Sequence, residues 1–216
     1  LMFDGRRELM KNNTWWMDPI YLGRYPEDGM EKYGADMPEI SEEEMKIIGQ
    51  DIDLCCLNIY GGERVRMGDE GAVEGVAAKD GCPMTAFKWD ITPESMHLPV
   101  LWFFQRYGKP VVITENGMSN ADWVMSDGAV HDPQRIDFTA RYLARLKEAI
   151  DDGAKVLGYF HWSLLDNFEW KNGYSQRFGL IHVDYQTLKR TVKDSGRWYA
   201  EVIRSDGRLL FEEAMV

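Results

Sequence analysis

Cationic side chains are in deficit: 25 Lys and Arg stand against 36 Asp and Glu, for a net charge of -11. A chain this acidic has no electrostatic footprint for nucleic acid or for an anionic membrane surface. Long apolar runs are also missing. No window approaches the roughly 18 uncharged apolar residues that a bilayer-spanning helix needs. Cysteine is limited to Cys55, Cys56 and Cys82. An odd count that includes two neighbours, which rarely pair with each other, argues against a disulfide framework. It predicts buried thiols in a reducing compartment, hence a cytoplasmic protein, with Cys82 alone open to oxidation. The four histidines, His97, His131, His161 and His182, show no His-x-x-x-His spacing, so no metal site is expected and structural roles suit all four. Nothing in the chain calls for a cofactor.

What is present fits one ordinary globular unit: 216 residues, 44% hydrophobic and 28% charged. Leu1 to Asn13 reads as the tail of a helix, turned into a loop by Trp15-Trp16 and continuing to Pro26. Ser41 with Glu44 forms a capping box for a short helix stopping near Gly49. Asp51 to Tyr60 reads as a strand, and residues 61–88, rich in Gly and charge, as one long irregular loop. Thr92-Pro93 opens a helix through Val100, Leu101, Phe103 and Phe104, with Pro99 either kinking it or marking its true start. The clearest helix follows Asp132-Pro133, with Ile136, Ala140, Leu143, Leu146 or Lys147, and Ile150 at helical spacing, and ends at Gly153. Strand and helix alternate in the βαβ rhythm of a parallel sheet.

Between those two helices, Val111-Val112-Ile113-Thr114-Glu115-Asn116-Gly117 puts one carboxylate at the end of a β-branched run, just before an Asn-Gly turn. A buried parallel strand reads as such a run. Catalytic groups of α/β barrels sit at the C-terminal ends of these strands. A Glu there is more often solvated or capping, so Glu115 alone decides little. Further on, Gly158 to Trp170 is a second strand-like run, opening into a loop with two Trp and two acids.

In these two segments the chain resembles glycoside hydrolase family 1, the retaining β-glucosidases and their relatives. The matching residues are Ile113 to Gly117, Trp162 to Trp170, Asn172-Gly173-Tyr174, Arg177 to Leu180 and Val183-Asp184-Tyr185. Leu57-Asn58-Ile59-Tyr60 is similar to the family's Asn-Tyr-Tyr strand end, and Trp16 to Ile20 with Gly23 to Pro26 to the loop before it. The fold implied is α/β: the C-terminal part, about strands six to eight, of a TIM (β/α)8 barrel that needs an N-terminal part to close. All of residues 1–216 belong to that segment, with 61–88 as a rim loop. The family's acid/base motif, Thr-x-Asn-Glu-Pro, has no counterpart, and no Asn-Glu pair occurs anywhere. Leu1 at the start implies a longer precursor, trimming, a cut or a split enzyme. A signal peptide is therefore left open.

The resemblance implies retaining hydrolysis of β-glycosides. Glu115 matches the carboxylate nucleophile that forms a covalent glycosyl-enzyme. Tyr60 matches the phenol that holds it, and Asn58 is the companion polar group. Glu169 and Trp170 match the pair that reads the sugar hydroxyls, and Trp162 the platform beneath the ring. Phe178 matches the wall near the hydroxymethyl group, and Trp89 falls near the aglycone-side Trp. Any one Trp by itself would more often be core than platform, but aromatics in loops after strands suit stacking on sugar rings. Glu169 and Phe178 favour an unphosphorylated glycoside, since a carboxylate would repel a phosphate. The implied partners are the β-glucoside or oligosaccharide substrate and a complementary N-terminal chain of the same barrel, self-association being the lesser option. The alternative is a non-catalytic sugar-binding or regulatory fragment that turns nothing over.

Overall fold

The computed structural model describes residues 13–69 and 73–212. Most of the helix tail expected over Leu1 to Asn13 lies outside the described residues. Helix α1 (Asn13–Leu22) carries Trp15 and Trp16 inside it, where a loop was expected. Tertiary contact holds this helix despite an internal Pro19. Asp18, 2% exposed, accepts from Arg106 Nε at 2.8 Å and from the Tyr107 hydroxyl at 2.9 Å. Trp15 packs on Tyr25 and Tyr33. Helix α2 (Glu27–Tyr33) runs into a 3-10 turn and is followed by α3 (Glu42–Ile48). The capping box at α3 is formed as read: Glu44 N–H donates to the Ser41 hydroxyl, and Ser41 N–H donates back to the Glu44 carboxylate at 2.8 Å. Gly49 is the C-cap.

Strand β1 (Cys55–Asn58) is shorter than the Asp51 to Tyr60 expected, because its parallel partner begins only at Val111, opposite Cys55. The 61–88 segment is not wholly irregular. It carries an antiparallel hairpin, β2 (Val65–Met67) with β3 (Val73–Gly75). A cross-strand Arg66 and Glu74 pair at 3.0 Å stabilises it. Two three-residue strands leave too little alternation to register as a pattern. A 3-10 turn (Pro93–Met96) leads into α4 (Leu98–Tyr107), so Pro99 sits in the helix's first turn, where its missing N–H costs nothing. Gly108 takes the left-handed conformation (φ 66°) that ends the helix.

Strand β4 (Val111–Asn116), helix α5 (Pro133–Asp151) and strand β5 (Val156–His161) complete the unit. The three long strands are parallel, in the order β1-β4-β5. The chain then forms the hairpin β6 (Ile181–Val183) and β7 (Arg190–Val192), helix α6 (Asp194–Arg204) and the short α7 (Leu209–Glu212). Helix α5 buries Phe138, Tyr142, Leu146 and Ala149, of which Leu146 belongs to the stripe counted from the sequence; Ile136, Ala140 and Leu143 are half-buried and Ile150 is 42% exposed. The rings of Phe138 and Tyr142 stack at 4.0 Å and set the phase of the helix.

One face of the sheet is the core: Cys55, Leu57, Val111 and Ile113 lie under α4 and α5. Among the described residues, the other face is largely open. Cys56 and Asn58 are exposed, as are Leu157 at 57% and Phe160 at 62%. A Cβ on Gly158 would meet Phe160 and Val112, which places those residues on one surface. The expectation of three buried thiols holds for Cys55 only: Cys56 is exposed because strand alternation turns it to the open face, and Cys82 is intermediate. Among the described residues no helix is long and apolar enough to cross a membrane.

Candidate active site

Glu115 is half-buried near the end of β4, and the end of β1 lies beside it. Asn58 is its partner across the ladder, reached through a register shift after Leu57. Beyond the strand, the Tyr60 hydroxyl donates to Glu115 Oε2 at 2.7 Å. Burial comes first in raising the phenol well above its ordinary value, followed by its bond to Glu115 and the negative charges of Glu115 and Glu169. Tyr60 is therefore a permanent donor. Its backbone carbonyl accepts from the Tyr142 hydroxyl at 3.2 Å, which ties the strand end to α5. The Asn58 side chain accepts from the Thr114 hydroxyl at 2.7 Å, so its oxygen is spent on the strand rather than on Glu115.

The second arm follows β5. Trp162 N–H donates to the Asn116 carbonyl at 2.8 Å, and the loop returns through a 3-10 turn (Trp170–Asn172) closed by Gly173. Trp170, with φ 44°, is held outward at 80% exposure. Glu169 is half-buried, and its carboxyl is raised by burial first and by the charge of Glu115, opposed by a hydrogen bond from Trp162. Glu115, Tyr60, Glu169 and Trp162 thus share one electrostatic neighbourhood.

Phe178 is 3% exposed. It lies behind Tyr60 and Trp89, with ring centroids 6.2 Å from each. Trp89 stacks on Phe87 at 4.6 Å and meets Tyr60 edge-on at 5.4 Å. A cavity of about 650 Å³ opens beside this cluster, lined by Tyr60, Glu63, Arg64, Lys88, Trp89 and Asp90 among others. Neither Glu115 nor Glu169 lines it.

Sequence reading missed two features. His161, the cross-strand partner of Asn116, has both ring nitrogens buried without a partner. Burial first, then the charges of Arg135 and Lys193, push it down to about 3. The second is a buried charge cluster joining Asp122, Asp132, Arg135, Asp166, Lys193 and the more exposed Arg177. Arg135 gives the one legible signal: a cation at a core-facing position of α5. Among the described residues no group of His, Cys, Asp or Glu is placed to hold a metal ion.

The family model for glycosyl hydrolase family 1 matches residues 4–208. The chain belongs to glycosyl hydrolase family 1. It is 41% identical over 197 residues to β-glucosidase A of Thermotoga maritima, a match covering 91% of this chain and 44% of that protein. β-Glucosidase A of Acetivibrio thermocellus is 39% identical over 200 residues. The solved family 1 β-glucosidase from Thermotoga maritima superposes with a TM-score of 0.83 at 40% identity, over 95% of this chain and 46% of that one. The chain spans less than half the length of these family 1 relatives, and its sheet and helices are part of their TIM barrel.

Proposed function

We propose that this chain is the C-terminal part, strands six to eight, of a retaining β-glucosidase, with β1, β4 and β5 as those strands. Glu115 is the nucleophile. Its carboxylate attacks the anomeric carbon as the glycosidic C–O bond breaks, and water then releases the sugar with overall retention. Tyr60 aims that carboxylate. Glu169 accepts from sugar hydroxyls, Trp170 donates an indole N–H, and Trp162 underlies the ring. Trp89 stands on the leaving-group side next to the 650 Å³ cavity, and Phe178 backs the cluster as a wall. Asn58 offers its amide N–H groups at the same strand end.

The observation that carries this reading is the 2.7 Å bond from Tyr60 to Glu115, in a neighbourhood shared with a second carboxyl, Glu169. The β-glucosidases with which the chain shares its family support the substrate class. The proton for the leaving group comes from an acid on the N-terminal part of the barrel, joined to this chain or carried by a partner chain. Loss of such an acid costs roughly 10²- to 10⁴-fold in rate, so the chain by itself is nearly inactive. In the completed barrel, Glu115→Ala should abolish hydrolysis of an aryl β-glucoside. Activity retained by that variant removes Glu115 from the nucleophile's role.

A further inference from the structure

The two loops that bear the candidate site are joined by one buried ammonium. Lys193, 0% exposed, donates to Asp122 Oδ2 at 2.6 Å and to Asp166 Oδ1 at 2.8 Å. Asp122 lies in the loop that follows Glu115 and β4. Asp166 lies midway between Trp162 and Glu169 in the loop that follows β5.

Further contacts brace each side of this bridge, and two of them cross it again. Asp166 accepts from Gly179 N–H at 2.9 Å and from Arg177 at 2.6 Å, which closes the second loop upon itself. Arg135 donates to Asp122 at 2.7 Å and to the Arg177 carbonyl at 2.9 Å, and it also pairs with Asp132. Asn120 N–H donates to the same Arg177 carbonyl at 3.0 Å. Asp132 in turn accepts from Ser195, two residues past Lys193. Three carboxylates and three cations balance to zero charge, so removing any one member leaves the cluster with a net charge that is largely buried.

We infer that Lys193 is a positioning residue: through Asp122 and Asp166 it locks the nucleophile's loop to the glycone-reading loop and so fixes Glu169 relative to Glu115. This rests on the glycosidase reading for the roles of the two glutamates, but the lock itself does not. Apolar packing would give stability without register, whereas a shared ammonium with two short directional bonds sets where each loop must sit.

The test is amide hydrogen exchange on the chain with Lys193→Met, beside a control of matched global destabilisation, Val202→Ala, at a buried site of α6. Lys193→Met should speed exchange in residues 117–132 and 163–180 by ~10-fold more than Val202→Ala does, with α5 exchanging alike in both. Equal exchange in those loops overturns the proposal. Should Lys193→Met fail to fold, Asp122→Asn keeps the cation and removes one arm, with the same expected contrast. Glucose titration followed by tryptophan fluorescence separates the two layers. Weaker glucose binding in Lys193→Met, unchanged in Val202→Ala, supports positioning, and equal affinities in both variants overturn it. A wild-type chain that binds no glucose counts against glycone recognition, and exchange alone then decides the lock.

Discussion

Replacing His161 with Leu should flatten the dependence of stability on acidity. In the folded chain the imidazole stays neutral down to about pH 3, held there by burial and by the nearby charges of Arg135 and Lys193. In the unfolded chain it titrates near 6.5. Between those two values the unfolded state binds a proton that the folded state refuses. Stability is therefore full above about pH 6.5 and falls as acid is added. The slope is about 1.4 kcal/mol per pH unit, so about 2 kcal/mol goes by pH 5 and about 5 kcal/mol by the folded value. Against a total of roughly 5 to 15 kcal/mol for a domain, that is a large share. Urea unfolding monitored by tryptophan fluorescence at about pH 7, 6 and 5 measures it. His161→Leu should lose about 2 kcal/mol less than the wild type between pH 6.5 and 5. Parallel curves for the two proteins, or an imidazole that titrates near 6.5 by NMR in the folded chain, would refute the reasoning.

Two further outcomes follow from local geometry. A Cβ at Gly117 would stand 1.8 Å from the Trp162 carbonyl oxygen, a backbone atom that cannot swing aside, so Gly117→Ala should destabilise by about 3 kcal/mol or more and lower the urea midpoint; a midpoint within error of wild type would show that the turn yields. His131, bonded to Asp127 at 2.9 Å and Asp194 at 2.5 Å, is raised to about 9 by those two hydrogen bonds. Its contribution is full below about pH 6.5 and is lost as pH rises through about 9, and its NMR titration should fall toward 6.5 in high salt because the group is exposed.

Legibility followed the range of the forces involved. Strand β4 and its penultimate Glu115 were plain because a Val/Ile run before Asn-Gly is a local signal, and Ser41 with Glu44 declared α3 for the same reason. Helix α1 was hidden because its stability comes from Asp18 meeting Arg106 and Tyr107, 88 and 89 residues away. The β2 and β3 hairpin had too few residues to show alternation. In α5 the aliphatic stripe caught Leu146 but missed Phe138 and Tyr142, the stacked aromatics at the centre of the buried face. At the site, Glu115, Tyr60 and Glu169 were named from motifs, whereas the Asp122, Lys193 and Asp166 lock spans 71 and 27 residues and leaves no trace in spacing. His161 looked structural, and nothing around it in the sequence hinted at a ring sealed without partners.

The uncovered side of the sheet gives the molecule a built-in chemical reporter. Cys56 is the exposed thiol, next to Asn58 on that face, while Cys55 is buried beside it. Alkylation of Cys56 thus clocks whether the face is open to solvent, and a fluorophore attached there would sit two residues from Asn58 and four from Tyr60. Closure of the barrel over this face would register as a change in labelling rate, without substrate and without turnover.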